Sequence, residues 1–130
     1  MPKGGTKTLK AKLWKVFSEY VRARDNYVCI TCGKQLEKSN SQAGHYVPRS
    51  AGLSLYFDER NVNCQCAGCN TFRHGNLQAY AIALRRMYGD GILEELDNER
   101  RKTRKFTALE YQTLIEVYKE KLKAVHDSKE

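Results

Sequence analysis

The sequence has no long apolar run. Nothing in it approaches the roughly 20 residues a membrane-spanning helix requires, so that class of membrane protein is excluded. Its start, Met1-Pro2-Lys3-Gly4-Gly5, is basic but lacks the apolar segment of a secretory signal. A soluble protein of the cytoplasm is therefore expected, without a membrane partner. Internal repeats and long low-complexity tracts are also missing, which excludes stacked-repeat architectures. Acidic charge is scarce: 15 Asp+Glu stand against 23 Lys+Arg, for a formal net charge of +8. Hydrophobic residues make up 41% of the 130 positions, enough for one compact core but not a large one. A chain of this size gains from a metal staple.

Basic charge is concentrated in two places. Lys3, Lys7, Lys10, Lys12, Lys15, Arg22 and Arg24 precede Asp25 with only Glu19 against them, and Arg100, Arg101, Lys102, Arg104 and Lys105 form a second cluster. Such clusters suit a polyanion, because phosphate contacts give affinity without sequence preference. Solvated helix faces are the plainer reading of the same residues.

Five cysteines stand at positions 29, 32, 64, 66 and 69. An odd number in a cytosolic setting argues for metal rather than for a disulfide framework. Cys29-x-x-Cys32 and Cys66-x-x-Cys69 supply four thiolates, the donor set of a tetrahedral structural Zn(II) with Zn–S of about 2.3 Å. Gly33 permits a left-handed turn after the second sulfur. Cys64 is the spare: a small buried residue, or a competitor of Cys66 for the metal.

The remaining pattern predicts an α+β fold. Residues 1–8 read as a flexible basic tail and 9–26 as an N-terminal helix, with Leu13, Val16, Phe17, Tyr20 and Val21 at helical spacing. Residues 27–88 form the cysteine-bearing core. A short strand is expected at His45–Val47, stopped by Pro48, and a second extended piece at Asn61–Gln65, together a small hairpin. A short helix then starts near Cys69-Asn70 and breaks at Gly75. The next carries Leu77, Tyr80, Ala81, Leu84 and Met87 on one face and ends at Gly89. Residues 89–130 make a helical extension: one helix opened by Asp90 and carrying Leu93 and Leu96, and a last one started by a Thr107/Glu110 capping box. Its stripe, Tyr111, Leu114, Ile115, Tyr118, Leu122 and Val125, suits a core face or a partner helix.

Between the cysteine pairs and just beyond them lie the candidates for chemistry. Each has a plain structural role available: His45 as a hydrogen-bonder, Asn61 as a turn former, Asn70 as a helix cap. Their order suggests more. Phosphodiester hydrolysis needs a base for the attacking water, a divalent cation for the developing charge, and cations that hold the backbone. Neutral imidazole accepts a proton near pH 7, which suits His45 as the base. Asn70 and His74, four residues apart, would share one face of a continuous helix and grip one Mg(II) or Mn(II) ion. Arg49 is placed to clamp a phosphate bidentately, with Arg60, Arg73, Lys12 and Lys15 as further nucleic-acid contacts.

The runs Leu13-Trp14-Lys15-Val16-Phe17-Ser18-Glu19-Tyr20, Cys29-Ile-Thr-Cys32-Gly-Lys, Gly44-His45-Tyr-Val-Pro-Arg49, Asp58-Glu59-Arg60-Asn61-Val62 and Cys66-Ala-Gly-Cys69-Asn70 together resemble the lambda-type NinG (Rap) recombination endonucleases. The similarity covers about residues 11 to 116. It implies a phage or prophage nuclease in the bacterial host cell, cutting branched DNA such as D-loops and Holliday junctions. The site is also similar to the wider HNH (ββα-metal) group, with His45 at the base position, Asn61 at the middle Asn and Asn70 at the last metal-ligand position. An Asn directly after the final zinc cysteine resembles phage endonuclease VII, a junction resolvase. One departure stands out. Many HNH enzymes carry Asp or His directly before the base as a second metal ligand, and this chain has Gly44. Asn70 with waters and phosphate oxygens would then hold the cation, or His74, Asp58 or Glu59 would complete it.

The expected protein is thus a zinc-stapled ββα-metal nuclease core with an N-terminal helix and a helical C-terminal extension. Its expected function is metal-dependent cleavage of branched DNA. The alternative is a non-catalytic zinc-dependent DNA- or RNA-binding module, which has no need of His45, Asn61 and Asn70 together. A homodimer through the C-terminal helices is left open, and a protein-interaction adaptor would use the last helix's stripe.

Overall fold

The computed structural model describes residues 5–129. Four helices, α1 (Thr6–Arg24), α2 (Leu77–Tyr88), α3 (Ile92–Arg100) and α4 (Ala108–Ser128), surround one antiparallel pair of strands, β1 (Ser41–His45) and β2 (Val62–Cys66). The fold is α+β, as expected.

Helix α1 starts earlier than its apolar pattern indicates. Leu9 is buried, so the turn before it is drawn into the helix, and Gly5 accepts from the Thr8 and Leu9 amides. Of the expected flexible tail, residues 6–8 are therefore helical and 1–4 lie outside the described residues. Leu13, Phe17, Tyr20 and Val21 bury one face of α1 against Tyr111, Ile115 and Tyr118 of α4, with Val62 of β2 in the same cluster. The stripe of the last helix is thus covered within the chain. The predicted capping box starts α4: Glu110 N–H donates to Thr107 Oγ1 at 3.1 Å, and Thr107 N–H to Glu110 Oε1 at 3.0 Å.

A second cluster joins Tyr80 and Leu84 of α2, Ile92 and Leu96 of α3, and Val47 and Leu55 from the loop between the strands. On α2 only part of the expected face is buried: Leu77 and Met87 stay about half exposed. Gly91 rather than Asp90 caps α3. The basic cluster after it is partly paired, Arg101 with Asp97, Lys102 with Glu99, and Arg104 with Glu110.

The hairpin is real, but its first strand lies four residues before its expected start. Register pairs Ser41 with Cys66 and His45 with Val62. The ladder stops there because the Val47 N–H is taken by the Asn61 side chain and Pro48 has no N–H to give. Both faces of β2 are covered, so Asn63 and Gln65 are fully buried along with Asn61.

Candidate functional site

The two cysteine pairs come from opposite ends of the core and meet. Cys29 and Cys32 sit on a tight knuckle in which the Gly33 amide donates to the Cys29 carbonyl at 2.8 Å. Gly33 adopts the left-handed conformation expected of it, with φ +77°. Cys66 ends β2, and Cys69 lies one turn on, in a short π-helical segment, Gly68–Phe72. All four sulfurs lie within 4.8 Å of one another. A tetrahedral ion with bonds of about 2.3 Å separates its sulfurs by about 3.8 Å, and Cys32 Sγ and Cys66 Sγ are 3.7 Å apart. Donors already face the sulfurs: the Cys69 N–H approaches Cys66 Sγ at 3.4 Å and Asn76 Nδ2 approaches Cys69 Sγ at 3.5 Å. Four cysteines so close together could bind a structural metal such as zinc. Cys64 lies outside the quartet, and burial pushes its thiol up to about 12.

Beside this knuckle is an open polar hollow of about 180 Å³, lined by Ala43, His45, Pro48, Arg49, Asn70, His74 and Gly75. Four of the residues singled out from sequence thus converge. The convergence does not arise as expected for His74. No continuous helix joins it to Asn70, because the π-helical segment ends at Phe72 and His74 itself takes φ +50° in the turn that follows. That turn, closed by the Gly75 amide donating to the Cys69 and Asn70 carbonyls, returns His74 to the same rim.

His45 stands at the end of β1 and stacks on Trp14 of α1, ring centroids 5.1 Å apart and 24° from parallel. Its Nε2 lies 3.0 Å from the Tyr56 carbonyl. A carbonyl only accepts, so Nε2 carries the proton and Nδ1 keeps the lone pair. Burial pushes the imidazole down to about 4; the Tyr56 hydrogen bond opposes this and the Arg49 charge adds to it. His45 is therefore neutral at physiological pH. The Arg49 guanidinium lies over the same Trp14 ring, 5.9 Å from its centroid, and Arg49 is exposed.

Asn61 does not reach the hollow. It is fully buried, and its amide locks the loop that follows His45: Oδ1 accepts from Val47 N–H at 2.7 Å, and Nδ2 donates to the Val47 and Leu55 carbonyls at 3.0 and 3.1 Å. It is a positioning residue, holding the backbone between His45 and Arg49. Asp58 and Glu59, weighed as metal ligands, are engaged elsewhere. Asp58 pairs with Arg60, and Glu59 accepts from Tyr20, Tyr118 and Lys121, the last cation holding its carboxyl below the usual range. Arg60 also contacts Glu95, so its guanidinium is shared between two carboxylates. Lys12 and Lys15 are exposed but line a separate groove between α1 and α4, and Arg73 is exposed next to His74.

Sequence reasoning missed three contributors. Trp14 is the stacking platform for His45, and being the only tryptophan was its one signal. Lys10 sits 4.4 Å from the centroid of the Tyr56 ring, which packs edge-on against His45. Tyr80, fully buried, donates to the Gly44 carbonyl at 2.7 Å and accepts from Asn63 Nδ2 at 3.1 Å, fixing the strand just before His45. Tyrosine on a helix stripe carries no sequence mark of that role.

Comparison with known proteins places this chain in a family. The family model described as "Bacteriophage Lambda NinG protein" matches residues 5–129. Among curated proteins, "Protein ninG" of Salmonella phage P22 is 35% identical over 111 residues, covering 85% of this chain and 54% of that protein. "Protein ninG" of Escherichia phage lambda is 33% identical over 111 residues, covering 85% and 53%. The chain spans about half the length of the curated relatives it matches. No solved structure matches it. None of the described helices is long and apolar enough to cross a membrane. By the extent of the family match and by these identities, the chain belongs to the NinG family of phage proteins.

Proposed function

We propose that the chain is a metal-dependent DNA endonuclease of the HNH (ββα-metal) kind, hydrolysing phosphodiester bonds in branched recombination intermediates such as D-loops and Holliday junctions. The observation that carries this reading is the meeting of His45, Arg49, Asn70 and His74 around one polar hollow beside the four-cysteine knuckle. A module that only binds nucleic acid has no need of a neutral, aromatic-stacked histidine sharing one hollow with two side chains able to ligate a cation.

In this reading Cys29, Cys32, Cys66 and Cys69 hold Zn(II), which ties the start of the core to the end of β2 and so fixes Asn70 next to the sheet. Asn70 and His74 hold Mg(II) or Mn(II), which supplies stabilisation of phosphorane-like charge and of the leaving oxygen. His45 takes a proton from the attacking water on Nδ1, with Nε2–H anchored by Tyr56. A phosphate beside the imidazole favours its charged form, moving its pKa up from the low value that burial gives it. Arg49 holds phosphate oxygens, Asn61 holds the loop carrying Arg49, and Lys10, Lys12, Lys15 and Arg73 track the backbone at longer range. By analogy with the HNH group, the water oxygen bonds to phosphorus as the P–O3′ bond breaks, and the 3′ oxygen leaves as a hydroxyl protonated from solvent, so the product carries a 5′-phosphate.

One observation favours the binding-module alternative: no carboxylate lines the hollow among the described residues. Mg(II) sites usually include one or two carboxylates, so a cation held here would depend on waters and the substrate phosphate around neutral oxygen and nitrogen donors. The deciding experiment is cleavage of a labelled four-way junction, a D-loop and a matched linear duplex in Mg(II), Mn(II) or EDTA. Cutting of the branched substrates, abolished by EDTA, is expected. Binding without cutting in every metal leaves a zinc-dependent DNA-binding module.

A further inference from the structure

The glycine before His45 leaves a specific space, and another side chain fills it. A Cβ built on Gly44 would lie 1.8 Å from Gln65 Oε1 and 2.8 Å from Asn70 Oδ1. No side chain fits at position 44 while Gln65 is in place. Gly44 and Gln65 lie on the same sheet face, since Gly44 pairs with Asn63 and Gln42 with Gln65. The carboxamide of Gln65 thus crosses from β2 to occupy the volume of a residue-44 side chain.

The orientation of that carboxamide is determined by its neighbours. Gln65 Nε2 lies 2.9 Å from the Gly75 carbonyl, which can only accept, and 3.2 Å from Thr31 Oγ1. The nitrogen must therefore face Gly75, and Oε1 must face Gly44 and Asn70. There it is fully buried and has no hydrogen-bond partner among the described residues. Asn70 Nδ2 donates to Gln42 Oε1 at 2.8 Å, and in this pairing of the two side-chain amides Asn70 Oδ1 lies on the Gly44 side. Gln65 Oε1 and Asn70 Oδ1 thus both border the space a residue-44 Cβ would take, and among the described residues no donor reaches Gln65 Oε1. Buried acceptors are almost always satisfied, and a pair of converging oxygens is the arrangement a hard cation satisfies.

We propose that Gln65 Oε1 is a protein ligand of the divalent cation, taking over from β2 the place that a side chain directly before the histidine would hold on β1. The proposal rests on the cation reading given above. It accounts for Gly44: the glycine is the space Gln65 needs.

The test is Mn(II) binding to zinc-loaded protein, followed by loss of the free-ion EPR signal, so that it is read independently of cleavage. With zinc held by the four thiolates, Mn(II) reports the oxygen site. Gln65→Ala and Asn70→Ala are each expected to weaken Mn(II) binding by about tenfold or more, and Gln65→Glu to tighten it by about tenfold through added ligand charge. In the double variant Gly44→Asp/Gln65→Ala, the carboxylate enters the vacated space and binding returns to at least the wild-type level. Circular dichroism checks each fold; should Gln65→Ala fail to fold, Gln65→Glu and the double variant decide. If Asn70→Ala loses Mn(II) while every Gln65 variant binds it like wild type, the proposal is overturned and the Asn70 site stands. If wild type takes up no more Mn(II) than Asn70→Ala, the cation reading itself fails, and this proposal with it.

Discussion

Asn61→Ala tests whether one buried amide holds the loop between His45 and Arg49. The substitution removes three hydrogen bonds at once, one from Val47 N–H and two to the Val47 and Leu55 carbonyls. Val47 and Leu55 are themselves buried, so their backbone groups cannot all turn to water. Leaving a buried polar group unsatisfied costs about 1–3 kcal/mol. Allowing for partial entry of solvent into the vacated volume, the loss should be roughly 3–4 kcal/mol, a large fraction of the 5–15 kcal/mol typical of a domain. A lowering of Tm by roughly 10–15 °C corresponds to it. Urea unfolding of metal-loaded protein, followed by circular dichroism, measures the loss directly. Asn61→Asp separates hydrogen bonding from volume: it keeps the acceptor for Val47 N–H but removes both donors, and should also destabilise. A ΔG of unfolding for Asn61→Ala within about 1 kcal/mol of wild type would refute the assignment of this residue as the loop's pin.

Three other outcomes follow from the geometry. The folded His45 pKa, about 4, lies below the ordinary 6.5, so the unfolded chain binds the extra proton first. The stabilisation from a neutral His45 is complete above 6.5 and lost as pH falls towards 4. Unfolding free energy should decline over that window in wild type and less in His45→Phe, and parallel curves would contradict the burial argument. Metal content should separate the cysteines: Cys66→Ser should lose bound zinc and Cys64→Ala retain it, as measured by atomic emission, whereas zinc loss from Cys64→Ala alone would reverse the ligand assignment. Arg49→Ala should weaken DNA binding at all sequences and lower the salt dependence by about one counterion; an unchanged salt slope would remove Arg49 from the phosphate contacts.

Much of the fold could be read from the sequence wherever a strong local rule acts. Helical stripes, the Thr107/Glu110 cap and the paired Cys-x-x-Cys spacing each specify geometry over a few residues, and each is found in place. Strand β1 begins earlier than its pattern indicates because Ser41-Gln42-Ala43-Gly44 carries no β-branched or aromatic residue, while the β-like Tyr46-Val47 lies where the Asn61 side chain takes the Val47 amide and ends the ladder. The site was partly legible for a related reason. Histidine and cysteine announce chemistry by type, so His45 and the four thiols stood out. Asn63 and Gln65 carry no such mark within the expected extended piece at Asn61–Gln65, and only the enclosure of β2 on both faces buries them. His74 reached the site by a turn and not by the helix spacing that first suggested it.

The central claim is that His45 is the base of a metal-dependent nuclease, and one comparison tests it most directly. Wild type and His45→Ala are matched for zinc content, fold and junction affinity, and single-turnover cleavage of a four-way junction is followed in Mg(II) or Mn(II). Removing a general base typically costs 10²–10⁴-fold in rate, so metal-dependent cutting by wild type should fall by about that factor in the variant while junction binding stays within about twofold. Equal cutting by the two proteins would contradict the assignment of His45, and binding without cutting by either would contradict the nuclease itself.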